Sequence, residues 1–131
     1  MKLRIQGNSV RLRLAPEDIK RFAEHGMIED SIRFGTTDDS VLSFELKATE
    51  VGDRFHASYH SNRIIIDVPQ ELAGHWIDTE QVGISGSIHL PDGVELTISI
   101  EKDLFRGSPK SGADLSKTAP EPNLKNAFTA G

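Results

Sequence analysis

From Leu3 to Ile100, apolar residues recur at every second position, broken by turn-forming pairs and two short helical stripes. Leu3 and Ile5 alternate with Lys2, Arg4 and Gln6; after Gly7-Asn8, Val10, Leu12 and Leu14 alternate with Arg11 and Arg13. Period two on both sides of a Gly-Asn pair predicts a β-hairpin with one buried face. Pro16 then stands where a helix can start without losing a hydrogen bond, and Glu17 and Asp18 follow in its first turn. Ile19, Phe22 and Ala23 form an apolar stripe at helical spacing, and Gly26 suits a left-handed helix end. Alternation returns at Ile28, Ile32 and Phe34. It continues after Thr36-Thr37-Asp38-Asp39 as Leu42, Phe44 and Leu46.

The same order then recurs. Phe55, Ala57 and Tyr59 precede a Ser61-Asn62 turn, and Ile64, Ile66 and Val68 follow it. Pro69 opens a second helix with Leu72, Ala73 and Trp76 inward. Val82, Ile84 and Ile88 form a strand, Pro91-Asp92-Gly93 a turn, and Leu96, Ile98 and Ile100 the last strand. The two passages superpose without a gap at a shift of 54 residues, placing Val10 on Ile64, Leu12 on Ile66, Phe22 on Trp76, Ile28 on Val82 and Phe34 on Ile88. A one-residue slip would turn every strand side chain to the wrong face, so the shared register carries more weight than the few identities. Each half alone would expose an apolar sheet face, and two halves packed together would close one core. The expected fold is therefore a β-rich α+β domain: a compact barrel of two tandem β-β-α-β-β halves, 1–53 and 54–104, with pseudo-twofold symmetry and two flanking helices. Residues 105–131, with Gly107, Pro109, Gly112, Pro120 and Pro122, read as a flexible polar tail.

Composition narrows the chemistry. With no cysteine among 131 residues, disulfides, thiolate metal sites and thiol nucleophiles are excluded. No apolar run reaches the roughly 20 residues needed to cross a bilayer, and the first residues do not open as a signal peptide. A cytoplasmic protein with no membrane association is expected. The net charge of −5 argues against a chain dedicated to nucleic acid. The charge is uneven: residues 1–53 carry eight Lys/Arg against ten Asp/Glu, and 54–103 carry three against eight.

Basic side chains gather on the first hairpin. A two-residue Gly7-Asn8 turn sets Arg4 opposite Arg11 and Lys2 opposite Arg13, and like charges so opposed are destabilising unless solvated, neutralised or bound to an anion. Lys2, Arg4, Arg11 and Arg13 are thus the candidate anion- or nucleic-acid-binding residues, with neutralisation by the chain's own acids the favoured alternative. The five histidines do not form a metal site. His56 and His60 sit roughly 13 Å apart if on a strand, His56 faces Asp67, His75 follows Glu71 by one helical turn, and His25 and His89 fall at element ends. Gly83-Ile84-Ser85-Gly86 lacks nucleophile-elbow spacing, and no glycine-rich phosphate loop occurs. No catalytic residue, metal or cofactor is assigned.

The opening run, Lys2-Leu3-Arg4-Ile5-Gln6-Gly7-Asn8-Ser9-Val10-Arg11-Leu12-Arg13-Leu14, resembles that of an uncharacterised bacterial family of short proteins, as do Glu101-Lys102-Asp103 and Pro122-Asn123. More distantly, Gly7-Asn8-Ser9, an alternating strand, Pro16 leading a helix and Gly26 before another strand resemble the AbrB/MazE swapped-hairpin domains. That resemblance implies DNA-binding regulators or antitoxins whose barrel forms from two short chains; here both halves would lie in one. The second half has Ser58, His60 and Asp67 where the first has Arg4, Gln6 and Arg13, so a basic DNA-facing surface would be one-sided. The expected role is a non-catalytic interaction module, monomeric or weakly dimeric, with a protein partner favoured over nucleic acid. A swapped-hairpin nucleic-acid-binding regulator is the alternative.

Overall fold

A computed structural model describes residues 1–50 and 52–103; the tail expected over 105–131 lies outside the described residues. Eight strands and two helices follow the expected order. They are β1 (Lys2–Gln6), β2 (Ser9–Leu14), α1 (Pro16–His25), β3 (Met27–Arg33), β4 (Val41–Thr49), β5 (His56–His60), β6 (Arg63–Pro69), α2 (Gln70–Asp78), β7 (Gly83–His89) and β8 (Glu95–Lys102). Pro16 occupies the first turn of α1, and Gly26 ends it at φ +72° with its amide donating to the Phe22 carbonyl. Pro69 does not open α2. It closes β6 and stands just before the helix.

The strands form two four-stranded sheets, ordered β1-β2-β8-β7 and β3-β4-β6-β5. This corrects the expected barrel: each sheet keeps two edge strands, and no hydrogen-bonded ladder joins one sheet to the other among the described residues. Each half contributes a hairpin to both sheets, because β2 pairs in parallel with β8 and β4 pairs in parallel with β6. Exchanging β1 with β5, β2 with β6, β8 with β4 and β7 with β3 converts one sheet order into the other. The ladders agree in detail over two of the three pairings in each sheet. Lys2↔Arg13 corresponds to His56↔Asp67, and Val10↔Ile98 to Ile64↔Phe44, at the shift of 54.

The third pairing, β3 with β4 against β7 with β8, departs from the gapless match. Ile28 pairs with Leu46, whereas Ile84 pairs with Ile100, so Ile84 and not Val82 takes the place of Ile28. Likewise Ile32 pairs with Leu42 and Ile88 with Leu96, which puts Ile32, not Phe34, in correspondence with Ile88. Burial agrees, since Ile28 and Ile84 are buried while Val82 is 46% and Phe34 is 75% exposed. The connection into β7 is longer than the single Gly26 leading into β3, and that difference absorbs the two residues.

Both helices sit at one end of the sheets. α1 touches β2 and β3, α2 touches β4, β6 and β7, and the helices touch each other. There the inward rows Leu3-Leu12-Ile100-Ile84 and Ala57-Ile66-Leu46-Ile28 meet Phe22 and Trp76, the two largest wholly buried side chains. The hairpin turns mark the opposite end. Gly7 alone has positive φ (+57°) in the first two-residue turn, and Ser61 (+52°) and Asn62 (+61°) both do in the second, the patterns of types II′ and I′.

The two turn asparagines fasten the parallel neighbours. Asn8 Nδ2 donates to the Glu95 carbonyl at 2.8 Å and Asn62 Nδ2 to the Asp39 carbonyl at 3.2 Å, while their own carbonyls accept the Thr97 and Ser43 amides. Asn62→Ala removes one such bond and puts an alanine in the left-handed region. We expect a loss of about 1–2 kcal/mol by urea denaturation, with Asn62→Gly recovering part of it.

Candidate functional site

Two surfaces bear on function. On the first hairpin, Arg4 lies opposite Arg11 and Lys2 opposite Arg13. The parallel ladder to β8 then sets Arg13 level with Glu101. Glu101 takes both arginines, with Arg13 Nε at 3.3 Å from Oε1 and Arg11 Nε at 3.5 Å from Oε2, and Lys2 Nζ lies 3.1 Å from Oδ2 of the buried Asp103. Arg4 has no ion-pair partner among the described residues. Three of the four cations are therefore held against carboxylates of β8 and of Asp103 just after it.

Beside this strip, the Met1 ammonium is buried against Asp18 Oδ2 at 3.0 Å and Asp30 Oδ2 at 3.6 Å. Asp18 also accepts the Ala15 amide at 3.0 Å and pairs with Arg21 at 2.8 Å. Burial by itself raises the Asp18 pKa, but the terminal ammonium, the Ala15 amide and the Arg21 guanidinium together outweigh it and hold the carboxyl below its ordinary value.

The second surface is the turn end of the space between the sheets. The inward rows continue past the helices as Ile5-Val10-Ile98 in one sheet and Tyr59-Ile64-Phe44 in the other, then Leu96 and Leu42. Among the described residues no helix covers the exposed part of these rows. Ile5, Val10, Tyr59, Ile64, Leu96 and Leu42 line an apolar groove of about 440 Å³ whose floor is closed by the buried core, with Ile5 59% and Tyr59 65% exposed at its lips. Ile5 and Tyr59, Val10 and Ile64, and Leu42 and Leu96 are pairs separated by 54 residues, so each half supplies matching positions to this mouth.

The histidines are dispersed. His56 faces Asp67 across the β5–β6 ladder, and His25 and His89 are the last residues of α1 and β7. Among the described residues no group of three or more His, Asp or Glu side chains is placed to hold a metal ion. No helix among them is long and apolar enough to cross a membrane.

Residues 1–123 match a family of unknown function, DUF7009. The chain belongs to that family. No curated protein and no solved structure matches it. The DUF7009 match spans all ten elements, the basic strip and the apolar mouth, and it runs on through 104–123. Within this DUF7009 chain, period-two reasoning assigned Ile5 and Tyr59 to the core, yet they stand at an open rim. The available signal was their place as the last inward residues of β1 and β5 before the turns, beyond the reach of either helix among the described residues.

Proposed function

We propose that this chain is a non-catalytic binding module made of two tandem copies of one β-β-α-β-β unit, and that it engages a protein partner through the apolar mouth between its sheets. The observation that carries the reading is the mouth itself. A groove walled almost wholly by aliphatic side chains and Tyr59, with exposed lips, is costly to leave in water and suits an apolar side-chain cluster of another protein. The duplicated unit supports it, because two equivalent hairpins bring the same positions to the mouth, as two protomers do across a dimer axis. A cytoplasmic setting is part of this proposal.

A photo-crosslinking residue at position 59 should yield a defined protein adduct in host extract. Ile5→Asp should abolish that adduct without lowering the melting temperature, and a crosslinker at the exposed Lys20 on α1 should give none. Adducts that survive Ile5→Asp would remove the mouth from consideration.

One observation favours the swapped-hairpin nucleic-acid reading: Arg4 is exposed, unpaired among the described residues and faces Arg11. Duplex DNA titrated at low salt separates the two readings. Binding that weakens steeply with salt and vanishes in the Arg4→Glu, Arg11→Glu double variant would transfer the function to the basic strip. We expect none, since Glu101 and Asp103 already neutralise its neighbours.

A further inference from the structure

The four edge strands are not equally protected. A free strand edge presents unpaired amides and carbonyls, and proteins guard it with charged side chains. β1 carries Lys2 and Arg4, and β3 carries Glu29, Asp30 and Arg33. β5 lacks Asp, Glu, Lys and Arg but has only five residues. β7, Gly83–His89, has seven residues and none of those four types.

The ladder fixes which of its backbone groups are free. The Lys102 amide bonds to the Val82 carbonyl and the Leu90 amide to the Val94 carbonyl, so even-numbered residues from 82 to 90 turn their backbone groups toward β8. Ser85, Ser87 and His89 therefore turn theirs outward, and no described strand pairs with that edge. Their side chains are exposed, and the two serines are small enough for a neighbouring strand to approach.

A groove of about 640 Å³ runs beside this edge. Phe55, Leu72 and Ile88 supply apolar wall, and Phe55 packs so closely that a Cβ on Gly86 would stand 2.6 Å from its ring. Arg54, His56 and His89 also line the groove, against the single carboxylate of Asp53, and Arg54 has no ion-pair partner among the described residues.

We propose that the outer edge of β7 is a peptide-binding edge, at which an extended acidic-apolar segment of a partner protein adds to the β1-β2-β8-β7 sheet as a fifth strand. Main-chain hydrogen bonds to Ser85 and Ser87 supply affinity. Alternate apolar side chains of the segment enter the groove against Phe55 and Leu72, and a carboxylate meets Arg54. This site is separate from the mouth, so either can fail without the other.

The probe is a displayed library of random decapeptides panned on the full chain, with the tightest peptide then synthesised. Amide exchange of Ser85, Ser87 and His89 should slow when it binds. N-methylation of every second peptide amide, in the frame that faces β7, should weaken binding at least about tenfold, a readout that leaves the protein's fold untouched. Ser87→Pro should do the same, since the Ser87 amide faces away from β8 and its removal breaks no internal ladder bond. Arg54→Glu should weaken the peptide and reduce the salt dependence. The proposal is overturned if no peptide is selected, or if the selected peptide tolerates N-methylation in both frames. Protection at Ile5 and Tyr59 instead of β7 would also overturn it. So would sedimentation showing a dimer that Ser87→Pro dissolves, because the edge would then belong to a second copy of the chain.

Discussion

Trp76→Ala should cost about 4–5 kcal/mol, close to the whole stability of a small domain, and leave the chain largely unfolded at 37 °C. The indole is wholly buried on α2, a helix that touches β4 and β6 of one sheet and β7 of the other. Deleting it opens a cavity where both sheets and a helix meet. Two secondary contacts go as well: Nε1 donates to the Val82 carbonyl at 2.9 Å, and Lys102 Nζ lies 5.7 Å from the ring centroid. These add little, because the Val82 carbonyl also accepts the Lys102 amide and the half-buried lysine keeps its bond to the Thr79 carbonyl. Trp76→Phe should therefore retain most of the stability, losing about 1–2 kcal/mol. Urea denaturation followed by far-UV circular dichroism measures both variants; tryptophan emission cannot, since Trp76 is the single tryptophan. A loss below about 2 kcal/mol for the alanine variant would show that the two sheets hold together without the helix layer.

Burial of Trp76 was legible because its spacing matches Phe22 on the first helix, and both are core residues. The first hairpin was legible to the residue, Arg4 against Arg11, because a two-residue turn leaves one register. The third strand of each half was not. Ile28, Ile32 and Phe34, or Val82, Ile84 and Ile88, keep the same parity under a shift of two, so alternation selects the face of a strand but cannot say where pairing begins. Loop length decides that, and it differs between the halves. The expected barrel failed for a related reason: hairpin pairing is local, whereas closure between edge strands leaves no local pattern. The open mouth was invisible because parity marks Ile5 and Tyr59 as inward without showing how far along the strands the helix layer reaches. The neutralisation of Lys2, Arg11 and Arg13 depends on the parallel β2–β8 ladder, which brings Glu101 and Asp103 across most of the chain.

Asp18→Asn should destabilise the fold by about 2–4 kcal/mol at neutral pH and flatten its acid unfolding. Asp18 is 6% exposed and balances a buried terminal ammonium and Arg21, so an amide leaves that ammonium with only the more exposed Asp30. The pH dependence follows from the depressed pKa. The unfolded carboxyl titrates near the ordinary value of about 3.9, and the folded one lower. The stabilisation is therefore fully present above that ordinary value and is lost as pH falls through the folded pKa. Midpoints of urea unfolding at intervals from pH 6 to pH 2 should fall more steeply for the parent chain than for Asp18→Asn, the two converging at the acid end. Parallel curves would mean that Asp18 is not the titrating group. The 54-residue shift matches this slot with a second one. Met1 corresponds to Phe55, Asp18 to Leu72, and Asp30, through the offset third strand, to Gly86. In the second half the chain continues through position 55 as a neutral peptide, and the slot is apolar, with Phe55 against Gly86 and Leu72 beside it. In the first half the same slot holds a terminal cation, and the two positions around it carry carboxylates. An Asp18→Leu, Asp30→Gly double variant, which writes the second half's solution into the first, should thus be less stable than either single change, because it strands the ammonium in an apolar slot with no counter-ion.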